Sequence, residues 1–288
     1  MMKITLPAYA KINLFLDIVS VREDKYHNIL SLMQSVSLHD LITVELAEGN
    51  GKRIDVFCNS SAIPTGKDNL VYRAAELFPA EGHITVSIEK NIPLSAGLAG
   101  GSTDAAATLV ALNHLTGNKL SKTELKTLGA KLGADIPFCI DGGAALVEGI
   151  GDLMKPVASM PRYPLVIARL GDGMSTPLAY RLLDEKYNSF CSYTPKKDSL
   201  NMLMLCADKN SPSEYCKGLY NVFETVVEEL REGVGEVKSI MRLSSAAGCL
   251  MSGSGTSVFG IFEREEDALS AVGKLHALGA EAHLCYPV

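Results

Sequence analysis

Hydrophobic and polar positions first fall into a strand rhythm. Between Ile4 and Val21, β-branched and aromatic residues alternate in part, with Ile12, Leu14, Leu16 and Ile18 two apart. Lys11 and Asn13 then share one face of that strand. Further strand signals fall at Leu41–Leu46, Ile54–Cys58 and Ile84–Ile88, and Leu70, Ala74 and Leu77 have helical spacing within Asn69–Phe78. The clearest helix of this half is Ser102–Leu115: Ala105, Leu109 and Leu112 recur at i, i+4 and i+7, and Ser102, Thr103 and Asp104 offer capping side chains. Ser121 with Glu124 forms a capping box that opens another helix, running through Leu125 and Leu128 to Gly133.

Three prolines, Pro156, Pro161 and Pro164, read as a linker and divide the chain into 1–155 and 156–288. Beyond them the pattern predicts a strand at Leu165–Arg169, a short helix at Pro177–Leu183 and a longer one at Lys217–Arg231. Strands at Cys249–Met251 and Val258–Phe262 flank a turn of small residues, and a helix follows at Glu266–Leu278. Asp184–Ser213 is the least patterned stretch and reads as an excursion. In both halves strands and helices do not alternate strictly, so the fold class is α+β and not a doubly wound parallel sheet.

Charge narrows what such a fold can bind. With 27 Lys and Arg against 33 Asp and Glu, the formal net charge is -6. The whole-molecule field therefore does not favour nucleic acid or an anionic membrane, and a polyanionic ligand must be held locally. Trp is absent, which argues against an aromatic platform for single strands. The seven cysteines are an odd number with no C-x-x-C pair, against a disulfide framework or a zinc ribbon. No stretch approaches the roughly 18 unbroken apolar residues of a membrane span. These features predict a reduced, soluble, cytoplasmic chain.

The densest anomaly is Ile92-Pro93-Leu94-Ser95-Ala96-Gly97-Leu98-Ala99-Gly100-Gly101-Ser102-Thr103-Asp104. Small residues let backbone amides approach a ligand, and the helix start behind them adds unpaired N–H groups and partial positive charge, which together suit a phosphate. A plain glycine-rich turn capping a helix has the same composition. The run is neither a Walker A loop, lacking Gly-Lys-Ser/Thr, nor a G-x-G-x-x-G fingerprint. A second cluster, Met251-Ser252-Gly253-Ser254-Gly255-Thr256-Ser257, reads by itself as a hairpin or bulge. Asp135, in Gly133-Ala134-Asp135-Ile136-Pro137, suits a cap or turn. Lys11 differs, because a charge in an otherwise apolar strand needs a partner or ligand. Were Lys11 and Asp135 to meet at about 4 Å, their attraction would be about 4 kcal/mol at an effective dielectric near 20. His27, beside Tyr26 in a loop, is by itself more often exposed than a ligand contact, and Tyr180 has the same ambiguity.

Together these pieces resemble the GHMP kinases. The resemblance runs through Ala8-Tyr9-Ala10-Lys11-Ile12-Asn13-Leu14, Asp24–His27, Asp68-Asn69-Leu70-Val71, Pro93–Ala107, Leu132–Phe138 and Gly253-Ser254-Gly255-Thr256. It departs from the family pattern at Lys25, where Gly is usual before Tyr-His, at Ser95, Ala96 and Ala99, which replace loop glycines, and at Thr103, where Ser is more frequent. The fold it implies is a ribosomal protein S5 domain 2-like N-terminal domain followed by a ferredoxin-like C-terminal domain, with a cleft between them that the Gly253–Thr256 turn closes.

The activity implied is transfer of the ATP γ-phosphoryl group, with Mg²⁺ on the phosphates, to the 2-hydroxyl of a cytidine diphosphate-linked methylerythritol. Asp135 would take the hydroxyl proton and Lys11 would orient the hydroxyl and offset charge. Asn69, Pro93, Ser95, Gly97, Leu98, Ala99, Gly100, Gly101, Ser102 and Thr103 would serve the nucleotide, and Asn13 the methylerythritol. Tyr26 and Tyr180 would sandwich the cytosine while His27 bonds its edge. No protein carboxylate is assigned to the metal, and Ser102 is a weak candidate. The expected partner is this small molecule alone, with the chain a monomer or weak homodimer. The rivals are a GHMP kinase acting on mevalonate, homoserine or a sugar, and a non-catalytic nucleotide-binding regulator. The Tyr26-His27 pair speaks against the first, since those substrates carry no base, and intact Lys11 and Asp135 speak against the second.

Overall fold

The computed structural model describes residues 1–190, 193–207 and 211–288. The chain forms two compact units: Met1–Ala10, His39–Ile92 and Ala99–Gly142 make the first, and Lys11–Leu38, Pro93–Leu98 and Gly143–Val288 the second. Two long strands, β1 (Met2–Val21) and β2 (His27–Ala47), give residues to both.

In the first unit the sheet order is β3 (Lys52–Cys58), β4 (Gly82–Glu89), β2, β1. β3 runs parallel to β4, and β4 antiparallel to β2 from Leu41↔Glu89 to Ala47↔His83. Four helices accompany it: α1 (Leu70–Leu77), α2 (Gly100–Leu115), α3 (Lys122–Ala130) and α4 (Ile136–Asp141). Their apolar faces and the alternate strand residues Ile42, Val44, Ile84 and Val86 form one core with Leu109 and Leu112 of α2. Asn69 caps α1, and the capping box of Ser121 and Glu124 is present at α3, where Ser121 Oγ accepts from Glu124 N–H and the Glu124 carboxylate accepts from Ser121 N–H.

In the second unit the later part of β1 pairs parallel with β8 (Tyr220–Asn221), and the early part of β2 pairs antiparallel with β5 (Ala144–Gly149), which pairs with β6 (Leu153–Val157). A separate four-stranded antiparallel sheet has the order β11 (Glu281–Cys285), β7 (Leu165–Arg169), β10 (Val258–Ile261), β9 (Gly248–Met251). Helices α5 (Thr176–Lys186), α6 (Lys197–Cys206), α7 (Pro212–Cys216), α8 (Glu224–Val227) and α9 (Glu232–Leu243) lie between β7 and β9, and α10 (Glu265–Ala277) lies between β10 and β11. The order of those strands is the 4-1-3-2 arrangement of a ferredoxin-like sheet, so the α+β class holds.

Several elements differ from the expected ones. β2 begins fourteen residues before the Leu41 signal because its early part carries polar side chains that are nonetheless buried, Ser31, Gln34 and Asp40 among them. The helix expected at Lys217–Arg231 is instead β8 and the single turn α8: the backbone of Tyr220 and Asn221 pairs with Phe15 and Leu16 of β1, and Val222 N–H donates to Leu16 O at 2.9 Å, so these groups are taken from helical bonding. Pro156 lies inside β6 and not in a linker. Of the Asp184–Ser213 stretch, 191–192 and 208–210 lie outside the described residues; the rest includes α6.

Candidate functional site

In the first unit the site is the start of α2. Its N-cap is Ala99, in the left-handed region at φ 58°, and no side chain caps the helix. Thr103 N–H donates to Ala99 O at 2.9 Å and closes the first turn, while the amides of Gly100, Gly101 and Ser102 precede the first intrahelical bond. Such a start attracts anions. The capping expected of Ser102, Thr103 and Asp104 is not what these side chains do, because the cap position falls three to five residues earlier. Thr103 Oγ1 donates to Tyr9 O at 2.7 Å, and Asp104 turns inward to Lys90. The backbone is open at Gly101, where an added Cβ would meet only Leu70, at 3.7 Å.

Leu70 belongs to α1, so the starts of α1 and α2 are neighbours. Asn69 is buried there with both ends of its amide used: Oδ1 accepts from Val71 N–H at 2.8 Å and Nδ2 donates to Pro64 O at 2.7 Å. Asp135 is the N-cap of α4, half-buried, with no capping bond from its carboxylate. The turn before it also reaches the start of α2, since a Cβ on Gly133 would lie 4.0 Å from Ser102 Oγ.

In the second unit Lys11 is 5% exposed, and its Nζ donates to Asn13 Oδ1 at 2.7 Å. The shared face is therefore real, and the partner is a neutral amide. Asn13 Nδ2 donates to Ser31 Oγ at 2.9 Å, and Ser31 Oγ donates to Phe15 O at 2.7 Å, which fixes the amide's orientation. Lys11 N–H donates to Leu98 O at 3.2 Å, tying this strand to the glycine-rich loop.

That loop is held against the second small-residue turn by one side-chain hydroxyl and one backbone pair. Ser252 Oγ donates to Gly97 O at 3.1 Å and accepts from Asn13 N–H at 3.3 Å, and Ser257 N–H donates to Ala96 O at 3.2 Å. A Cβ on Gly97 would lie 2.1 Å from Ser252 O, so the glycine is required by close approach as well as by its φ of +76°. Arg169 Nη1 donates to Leu94 O, and Ser95 packs on Gly173. In the turn itself, Asn221 Nδ2 donates to Gly253 O, Ser254 Oγ lies 2.8 Å from Thr176 Oγ1, and Thr256 Oγ1 donates to Asp172 O. Gly255 is closed in by Met251 and Val227. The smallness of this cluster thus has a packing cause.

The third group is aromatic. His27 is the first residue of β2, with its side chain only 8% exposed, and its Nε2 lies 2.8 Å from Asp184 Oδ1. Tyr180 lies over it with ring centroids 4.7 Å apart and planes tilted by 32°, and presents its ring at 89° to Phe223. His27 and Tyr180 are therefore brought together. Tyr26 is 63% exposed and has no place in that stack, its N–H bonding to Asp24 Oδ1. Asp184 was missed by the sequence reading. Its only signal was a carboxylate four residues after Tyr180 on α5, one turn along the same face. Among the described residues no group of three or more His, Cys, Asp or Glu could hold a metal ion, and no helix is long and apolar enough to cross a membrane.

Comparison with known proteins adds to this geometry. Residues 69–143 match the family model for the GHMP kinases N terminal domain, and 203–281 the model for GHMP kinases C terminal. The 4-diphosphocytidyl-2-C-methyl-D-erythritol kinase of Caldicellulosiruptor saccharolyticus is 43% identical over 274 residues, 94% of this chain and 92% of that protein. The kinase of the same name from Alkaliphilus metalliredigens is 38% identical over 99% of this chain and 96% of that protein. A crystal structure of 4-(cytidine 5'-diphospho)-2C-methyl-D-erythritol kinase superposes with a TM-score of 0.81 at 32% identity, covering 98% of this chain and 99% of that one.

Proposed function

The chain belongs to the GHMP kinases, and within them to the 4-diphosphocytidyl-2-C-methyl-D-erythritol kinases; on that footing we propose how its residues carry a phosphoryl group from ATP to the 2-hydroxyl of 4-diphosphocytidyl-2-C-methyl-D-erythritol. The reaction is a step of the non-mevalonate route to isoprenoid precursors. ATP supplies the γ-phosphoryl group; Mg²⁺ on its phosphates would offset their charge, and Ser102 would be its protein ligand. Residues 1–155 contribute the phosphate loop, Lys11 and Asp135, and residues 156–288 add Tyr180 and the Gly253–Thr256 turn.

The amides from Gly97 to Thr103 cradle the phosphates, and Pro93 and Ser95 set the entry of that loop. Asn69, its side chain spent on capping, shapes the nucleotide's surroundings through the start of α1. Asp135 accepts the proton of the 2-hydroxyl as its oxygen attacks, and ADP departs. Lys11 orients that oxygen and stabilises charge on the transferring group, while Asn13 holds Lys11 and contacts the methylerythritol. Tyr180 stacks on the cytosine, His27 bonds its edge, and Tyr26 swings in from solvent as the second face. We take the protein to act in the cytoplasm as a monomer or weak homodimer, without nucleic-acid or membrane partners.

The observation that carries the choice of substrate is the buried His27, stacked by Tyr180 and held by Asp184. A kinase for mevalonate or homoserine has no base to recognise there. The test is ATP-dependent phosphorylation of the cytidylated methylerythritol, with mevalonate and homoserine as controls. Asp135→Asn should lose about 10²–10⁴-fold in kcat while nucleotide affinity is kept. Equal turnover of mevalonate, or full turnover by the variant, would refute the assignment.

A further inference from the structure

The first unit holds a buried cluster of charge that this chemistry does not use. Asp40 is 0% and Asp104 3% exposed, and the Lys90 side chain is 6% exposed. Lys90 Nζ donates to Asp104 Oδ2 at 2.8 Å and to Asp40 Oδ2. Asp40 Oδ1 accepts from Asn91 N–H at 2.6 Å and from Ile92 N–H at 2.8 Å. One chain of hydrogen bonds therefore joins the residues entering the glycine-rich loop to the second turn of the helix leaving it.

Gly100 reports how tightly this chain passes the helix start. A Cβ there would lie 3.2 Å from Lys90 Nζ and 3.3 Å from Ile92 Cγ2, so the glycine makes room for the ammonium although its own φ is ordinary. A buried ion cluster is seldom worth more than apolar residues of the same volume, so stability alone does not explain it. Asp104 Oδ1 is moreover buried without a hydrogen-bond partner, an arrangement that a purely stabilising network avoids. Burial, with Asp40 beside it, pushes the Asp104 carboxyl up to about 8, against the pull of Lys90.

We infer that Lys90, with Asp40 and Asp104, is a positioning residue that sets the separation of the two stems of the phosphate loop and through it the affinity for ATP. The inference rests on the reading of Gly97–Thr103 as the phosphate cradle. Asp104→Leu cuts the link on the helix side and leaves a balanced Lys90–Asp40 pair, so the protein should fold; Lys90→Met/Asp104→Leu removes the ammonium as well. Calorimetric titration with ADP should show affinity weakened about tenfold in both, a scale that a misplaced group readily produces. Titration with CDP, which reads the His27 site, should stay within a factor of two of wild type. Asp104→Asn restores a neutral acceptor for Lys90 and should recover most of the ADP affinity, which a packing role would not require. Gly101→Asp, which puts a carboxylate at the cradle, tests the underlying reading separately. If Gly101→Asp abolishes ADP binding while either folded leucine variant binds ADP like wild type, the brace is refuted and the cradle stands. If Gly101→Asp binds ADP normally, the cradle itself is wrong and the brace falls with it.

Discussion

Lys25→Gly isolates the cost of placing ordinary residues where glycine is usual. Lys25 adopts φ 67° in the hairpin between β1 and β2, where its N–H donates to Arg22 O at 3.0 Å and Arg22 N–H donates to Tyr26 O at 2.8 Å. The side chain is exposed, so its removal loses no packing. An L-residue in the left-handed region costs about 1–2 kcal/mol, and glycine's greater freedom in the unfolded chain returns about 0.5–1 kcal/mol of that. The variant should therefore gain about 0.5–1 kcal/mol, a rise in melting temperature of about 1–3 °C for a chain of this size. Urea unfolding followed by circular dichroism gives the midpoint, and the KM for the cytidylated substrate should not move, because the backbone bonds that present Tyr26 and His27 are unchanged. An unaltered or lowered midpoint would show that the turn stores no such strain. The same argument would then fail for Ser95 at φ 51° and Ala99 at φ 58°, the other two replaced glycines with this geometry.

Asp184→Ala should raise the KM for the cytidylated substrate about tenfold with little change in the KM for ATP, since a partly exposed carboxylate holds His27; steady-state kinetics with each substrate varied decides it. Asp104 has a raised carboxyl pKa, so between the ordinary carboxylate range and about 8 the folded state binds more protons than the unfolded one, and this group's contribution to stability declines as pH rises through that window. Thermal melts from pH 5 to 9 should accordingly show Asp104→Asn gaining on wild type with rising pH; parallel curves would contradict this. Ser252→Ala removes the hydroxyl that donates to the Gly97 carbonyl and accepts from the Asn13 backbone N–H, and should cost about 1–3 kcal/mol by denaturant titration.

Local signals were legible where one short stretch decided its own structure. α1 falls within the Asn69–Phe78 spacing, Ser121 and Glu124 form their box, and Lys11 meets Asn13 because side chains two apart on a strand share a face. The glycine-rich run stood out for the same reason. What could not be read depended on distant partners. Buried Ser31, Gln34 and Asp40 disguised half of β2 as a polar stretch, since their hydrogen bonds go to groups invisible to any periodicity. Asp104 looked like a helix cap because Lys90 and Asp40 reach it only once the sheet is formed. Asp184 looked unremarkable because His27 is 157 residues away.

Three buried lysines show why the acidic balance of the chain is compatible with handling polyphosphates. Lys90 is met by Asp40 and Asp104, and Lys238 by Glu224 and Glu228, both at 2.9 Å, so in each case two carboxylates cancel the field of one ammonium. Lys11, equally buried, is oriented by the amide of Asn13, which accepts its hydrogen bond without cancelling its charge. An ammonium taken out of water and left with a neutral partner exerts a field that an incoming anion can use, and the desolvation is compensated only when that anion arrives. The first two lysines are thus spent in ion pairs while the charge of the third is left uncancelled, as the role proposed for Lys11 requires, a difference set by the chemistry of the nearest oxygen and not by depth of burial.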